Sequence, residues 1–304
     1  MLWLFRQSRE LASFVKLSHT LFALPFALAS MVVAARDHRG WPGGYTFGLI
    51  LAAMVSARTW AMSFNRIADR RFDAANPRTA GRHLPTGQLS LATAWMLCLG
   101  GAAGLVAASY FLNRTCFVLS PVALLVICFY SLTKRFTDFT HVFLGVALAL
   151  APIGAWLAVT GGFEFFPLRD GTVSVRHSAV LPLLLAIAVV FWLIGFDVIY
   201  SIQDYQFDRT HGLHSLAVRW GIDNALKAAF LAHMIMWLTR FWVAYLVGLV
   251  IILALLVMEH WLARKRSLGW LQTAFFRLNA LISAVFLVVT VAEVAFPRFR
   301  LDWR

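Results

Sequence analysis

About nine stretches of this 304-residue chain are long and apolar enough to cross a bilayer, near 19–36, 44–64, 91–111, 116–132, 140–160, 180–200, 222–238, 241–260 and 275–296. A run of about 18 to 22 apolar residues matches the thickness of the hydrocarbon core. There, every backbone N–H and C=O must be satisfied within the protein, so each run is expected to be a helix. The alternating pattern of a membrane barrel is absent. Composition agrees: 61% of residues are hydrophobic and 13% charged, against roughly 25% charged in a soluble domain. Thr239-Arg240 interrupts the stretch 222–260 and divides it into two spans. The expected fold is an all-α integral membrane protein, one domain over 1–304. Its first 17 residues set Leu4, Leu11, Phe14 and Val15 against Arg6, Arg9 and Glu10, the pattern of an interfacial helix lying on the membrane surface.

The formal net charge of +13 belongs to the loops. Lys and Arg collect on the cytoplasmic side of membrane proteins, and here they are in excess on the side that holds the N-terminus. That places the N-terminus and the polar loops 65–90 and 201–221 in the cytoplasm, in a multi-pass protein of the cell inner (plasma) membrane. No basic stripe interleaves with aromatics, so nucleic acid is not an expected partner. Cys98, Cys116 and Cys128 lie in apolar runs with no ligand spacing.

Only fourteen residues are Asp or Glu, and five of them fall in two clusters. Carboxylates at a membrane edge are costly and point to function. The first cluster runs from Asn65 to Asp73. On a helix, Asn65, Asp69 and Asp73 share a stripe about 80° wide. The second runs from Asp197 to Asp208, where helical geometry brings Asp197, Asp204 and Asp208 within about 40° of one another. Phe72-Asp73 and Phe207-Asp208 close the clusters, and Gly87 and Gly221 precede the next spans, as in an internal repeat. Two carboxylate stripes at one interface suit a hard divalent cation shared with phosphate oxygens, as Mg²⁺ prefers. Asn65, Asp69, Asp73, Asp204 and Asp208 are the candidate metal ligands.

Cations cluster around the same segments. Arg66, Arg78 and Arg82 flank the first motif, where a guanidinium fork suits phosphate or serves as a cytoplasmic anchor. Arg66 and Arg82 are the candidate diphosphate contacts. Arg58 lies two turns inside the second span. A buried Arg needs an anionic partner, either a diphosphate or the carboxylate of an aromatic acid. Asp197 lies deeper than Asp204. It can accept a proton from a phenol or hydrogen-bond a neighbour. Asn279 is expected to hydrogen-bond an adjacent helix.

The paired pattern Asn65-x-x-x-Asp69-x-x-x-Asp73 and Asp204-x-x-x-Asp208 resembles that of the UbiA-type intramembrane prenyltransferase superfamily. The stretches VKLSHTLFALPFALAS, NPRTAGRHLPTG, YSLTKRFT, APIGAWLAVTG and GLHSLAVRWG extend the likeness over nearly the whole chain. It is nearest to the 4-hydroxybenzoate polyprenyltransferase-like branch. The resemblance implies nine helices around a central cavity, capped by two cytoplasmic loops, with Mg²⁺ bridging the aspartates to a polyprenyl diphosphate. It places Tyr130, Ser131 and Lys134 at the substrate cavity. One stretch departs, Val15-Lys16-Leu17-Ser18-His19, which stands where ubiquinone-type members carry Arg-x-Asp-Lys-Pro.

The activity implied is Mg²⁺-dependent transfer of a polyprenyl group to a small hydroxyaromatic acid such as 4-hydroxybenzoate, in ubiquinone biosynthesis. The same chemistry on 1,4-dihydroxy-6-naphthoate, in a menaquinone route, is an alternative. Asp197, Tyr130 and Lys134 are the candidate catalytic residues, and Arg58, Arg66, Arg82 and Ser131 the candidate substrate contacts. A membrane transporter is the rival of a different class. It would favour charged residues at helix breaks in mid-membrane, whereas these carboxylates sit near one interface.

Overall fold

The computed structural model describes residues 11, 13–16, 20–163, 180–238, 244–264 and 268–295, and these are helical or in turns, with no strand among them. Nine long helices are described: α1 (Thr20–Ala34), α2 (Gly44–Ala75), α3 (Leu91–Leu112), α4 (Arg114–Thr133), α5 (Thr140–Thr160), α6 (Val180–Ser201), α7 (Ile222–Leu238), α8 (Ala244–Arg264) and α9 (Leu268–Ala295). They correspond one to one with the nine expected spans. Five satisfy length and hydropathy for a crossing outright, and Ala23–Ala34 and Phe276–Ala292 are shorter apolar helices. The chain is an all-α integral membrane protein. The interruption at Thr239-Arg240, most of the expected N-terminal interfacial segment and residues 164–179 lie outside the described residues.

Neighbours in sequence pack as neighbours in space from α2 through α7, and α8 packs on α9. Helix α1 joins the two halves by packing on both α5 and α9. Small residues allow the closest approaches, as expected where lipid removes the hydrophobic drive between helices. A Cβ on Gly101 of α3 would stand 2.6 Å from the Trp60 amide nitrogen of α2. A single residue, Asn113, makes the turn from α3 to α4. Its backbone closes α3, its Oδ1 accepts from Cys116 N at 2.9 Å to cap α4, and its Nδ2 donates to the Leu157 carbonyl of α5. Pro25, Pro121 and Pro152 lie inside helices, which membrane helices tolerate when neighbours satisfy the freed carbonyls. Ser30 of α1 braces α5 at this point, donating to the carbonyl of Pro152 itself at 2.7 Å.

The half built from α6 to α9 holds a polar chain in an apolar interior. Trp192 Nε1 donates to Asn279 Oδ1, and Asn279 Nδ2 donates to Glu259 Oε1. His233 Nε2 donates to the Trp192 carbonyl, and its Nδ1 lies 3.1 Å from His260 Nε2. The sequence expectation for Asn279 is met, with partners on two helices. Leu99, Leu125, Phe129 and Val288 stand exposed on the outer surface, as a lipid-facing belt requires.

Two expectations need correction. Helix α2 continues to Ala75, so Asn65, Asp69 and Asp73 stand on its last turns and not in a loop. The described part of the N-terminal segment does not lie with an apolar face toward lipid. Phe14 and Val15 are buried against Met62, Ile67 and Leu84.

Candidate active site

The bundle lines a partly open cavity of about 460 Å³. Its apolar walls include Ile50 and Met54 of α2, Leu105 of α3, Leu148 of α5, Trp192 of α6 and Phe276 of α9. Its polar lining includes Lys16, Arg58, Asn65, Arg82, Tyr130, Asp197 and Tyr200. An apolar chamber with a few charged groups is the form of a ligand site.

The four motif aspartates are outside this lining, though Asp69 and Asp73 bond to its Asn65 and Arg82, and each of the four meets a cation. Asp69 accepts from Arg135 at 3.1 Å, Asp73 from Arg82 at 2.6 Å, and Asp208 pairs with Lys134 at 2.7 Å. Asp204 accepts from Nε, at 2.8 Å, and Nη2 along one edge of the Arg78 guanidinium, and also from Asn76 Nδ2 at 3.0 Å. Burial works against the charge on Arg78, but the hydrogen bonds to Asp204 and Tyr200 outweigh it and raise its pKa. Asn65 Nδ2 donates to Asp69 Oδ2 at 3.0 Å.

These pairs show how two motifs far apart in sequence come to share one space: Asn76 reaches Asp204 across 128 residues. Asn76 and Arg78 follow the first motif but bind the second. Lys134 and Arg135, adjacent at the end of α4, reach opposite ways: Lys134 to the second motif and Arg135 to the first. Arg78 is also 5.5 Å above the Tyr200 ring. Among the described residues no three acidic, His or Cys side chains converge as a ready-made cation cage. That donor set still fits Mg²⁺, which usually takes one or two carboxylates and completes its shell with water and phosphate oxygens.

The second motif is not one continuous helix. Helix α6 ends at Ser201, a 3₁₀ turn spans Ile202–Asp204, and a short helix runs Tyr205–Thr210. A 3₁₀ turn has about three residues per turn, so the angles expected from an unbroken α-helix do not hold. Asp197 lines the cavity on α6, while Asp204 and Asp208 turn to Arg78 and Lys134.

The remaining candidates divide. Arg58 and Tyr130 line the cavity, and the buried Arg58 Nε has no hydrogen-bond partner. Arg82 lines the cavity through its pair with Asp73. Arg66 is buried and turns away, donating from Nε to the Phe14 carbonyl at 3.2 Å, and is not in the lining. Ser131 is buried one residue from Tyr130 but outside the lining. Lys134 is occupied by Asp208, so of the cations expected from the sequence Arg58 and Arg82 line the chamber, and of these two only Arg82 is paired with a motif aspartate.

Two residues were missed from sequence. Lys16 lines the cavity with a left-handed backbone, φ +47°. Such strain in a non-glycine residue clusters at functional sites. Burial, and then the charges of Arg66, Arg82, Arg78 and Arg58, pull its pKa down to about 8. The only sequence signal was a lone lysine after an amphipathic segment. His141, fully buried at the start of α5, stands 2.7 Å from Asp197. Nothing in the sequence marked it.

The profile described as the UbiA prenyltransferase family matches residues 23–281. A 4-hydroxybenzoate octaprenyltransferase of Methylobacillus flagellatus is 31% identical over 264 residues, 84% of this chain and 83% of that protein. Another, from Alcanivorax borkumensis, is 33% identical over 75% of this chain and 70% of its own length. Among solved structures, the apo form of a UbiA homolog from Aeropyrum pernix K1 superposes with TM-score 0.75 at 30% identity, covering 91% of this chain and 98% of that one. A UbiA homolog from Archaeoglobus fulgidus bound to DMAPP and Mg²⁺ shares the fold at TM-score 0.63 and 19% identity, over 92% of this chain and 99% of that one.

Proposed function

The chain belongs to the UbiA prenyltransferase family, and on that premise we propose that it transfers a polyprenyl group from a diphosphate to a hydroxyaromatic acid of the 4-hydroxybenzoate type. The observation that carries the reading is the placement of Arg58. It is a half-buried arginine whose buried Nε has no hydrogen-bond partner, and it lines an apolar chamber near the carboxylate–cation pairs. A desolvated cation in that place calls for an anion, and a ring carboxylate supplies it. The names of the relatives from Methylobacillus flagellatus and Alcanivorax borkumensis support the same acceptor class.

Asn65, Asp69, Asp73, Asp204 and Asp208 would hold Mg²⁺. When bound, the ion supplies charge neutralisation for the departing diphosphate. Arg82 and Lys16 add positive charge beside the phosphates. The allylic C–O bond breaks with its electron pair leaving on the diphosphate. The ring carbon next to the hydroxyl forms the new C–C bond. Asp197 takes the displaced ring proton, and the C–H electron pair returns to the ring. Tyr130, beside Arg58, orients the acceptor. The apolar walls hold the prenyl chain and keep water from the allylic cation, which would otherwise become an alcohol. The active-site loops lie on the cytoplasmic side of the inner membrane, where soluble substrates arrive.

The test is a membrane assay with labelled polyprenyl diphosphate, Mg²⁺ and a panel of hydroxyaromatic acids that includes 4-hydroxybenzoate and 1,4-dihydroxy-6-naphthoate. Product on at least one acid is expected. No product on any of them, with folded protein present, overturns the reading.

A further inference from the structure

Asp197 does not face the cavity alone. His141 Nδ1 lies 2.7 Å from its Oδ2, and the imidazole is fully buried. On the other side of the ring, Nε2 accepts a hydrogen bond from the Leu216 amide at 3.4 Å. An amide N–H can only donate, so Nε2 carries a lone pair and the ring proton sits on Nδ1. The histidine in this tautomer donates Nδ1–H to the carboxylate. Leu216 is the first residue of the short helix Leu216–Trp220, whose N-cap Ser215 accepts from Val218 N. The amides of a helix's first turn have no partner within the helix, and His141 satisfies one of them. The imidazole, carried on α5, thus ties the second cap loop to Asp197 on α6.

We infer that His141 is a positioning residue for the transfer reaction: its Nδ1–H fixes one Asp197 oxygen and leaves the other directed to the acceptor ring. This rests on the prenyltransferase reading given above. In the transfer step the ring C–H bond breaks, its electrons rejoin the ring, and the proton moves to the Asp197 oxygen that His141 does not hold. His141 itself gains and loses nothing. Its contribution is orientation, together with stabilisation of the ionised carboxylate by a charge-assisted hydrogen bond. Of the side chains that could replace it, an amide can donate to Asp197 and accept from Leu216, and an aliphatic one can do neither.

The experiment compares His141→Leu and His141→Gln in the membrane assay, alone and combined with Asp197→Asn. Folded yield and binding of prenyl diphosphate with Mg²⁺ are measured on each variant. His141→Leu should lower kcat about 10- to 100-fold, a part of the roughly 10²- to 10⁴-fold that a positioned base contributes. KM for the prenyl diphosphate should stay unchanged. His141→Gln should recover most of the loss. In the Asp197→Asn background, His141→Leu should cost little more, because residues acting as one unit are non-additive. A wild-type kcat in His141→Leu, or equal losses in the Leu and Gln variants, overturns the inference. So does full additivity with Asp197→Asn. Failure of the underlying function looks different, because then the wild-type protein itself transfers to no acceptor.

Discussion

Arg58→Met separates recognition of the acceptor's carboxylate from every other task of the site. The side chain is part of the cavity wall, and its Nε has no partner among the described residues. A ring carboxylate would therefore gain a hydrogen bond to a charged donor, which contributes about 1.5–3 kcal/mol. At about 1.4 kcal/mol per tenfold, the variant should lose roughly 10- to 150-fold in kcat/KM for the acid. Methionine keeps much of the apolar stem and removes a desolvated charge, so folded yield should not fall. The same assay on the decarboxylated phenol supplies the second arm of the cycle. The wild type should discriminate against the phenol by about the same factor, and the variant should treat acid and phenol nearly alike. Equal losses on both substrates, or no loss on the acid, would refute the assignment of Arg58 to the carboxylate.

Asp→Asn changes at Asp69, Asp73, Asp204 and Asp208 should each cut turnover about 100-fold, roughly 2.7 kcal/mol of transition-state stabilisation. Turnover should also cease in excess EDTA and return with Mg²⁺. Near-wild-type rates in either case would remove the metal role. Lys16 gives a pH test. Its pKa of about 8 means that the free protein loses this charge as pH rises through 8, whereas a bound diphosphate restores it. Binding then takes up a proton, and the Kd for prenyl diphosphate should rise from pH 7 to pH 9, by up to tenfold per pH unit above 8. Lys16→Gln should flatten the pH dependence, and an unchanged slope would discard the contact. Gly195→Ala tests the packing of α6 on α7. The added methyl would stand 2.3 Å from the His233 ring, so thermal unfolding should reveal a loss of about 1–3 kcal/mol, and an unchanged midpoint would contradict the close approach.

The helices were legible in the sequence because their signal is local. A bilayer admits few alternatives for an apolar run of that length, so nine spans and their order follow from composition along the chain. The first motif was legible for a similar reason: Asn65, Asp69 and Asp73 lie on one uninterrupted helix, where spacing fixes direction. That rule failed at the second motif because the 3₁₀ turn Ile202–Asp204 changes the period, and no residue there announces it. Partnerships lay further out of reach. Arg78 finds Asp204, His141 finds Asp197, and Arg66 turns to the Phe14 carbonyl, although the spacing of the arginines alone suggested that Arg66 and Arg82 do the same work. Sequence periodicity sets which face of a helix a side chain occupies. Which face of which other helix it meets depends on crossing angles and axial offsets, set by small contact residues such as Gly101 and Gly195. Only the packed bundle has those quantities, and they decide which cations neutralise the aspartates and which, Arg58 and Lys16, line the chamber instead.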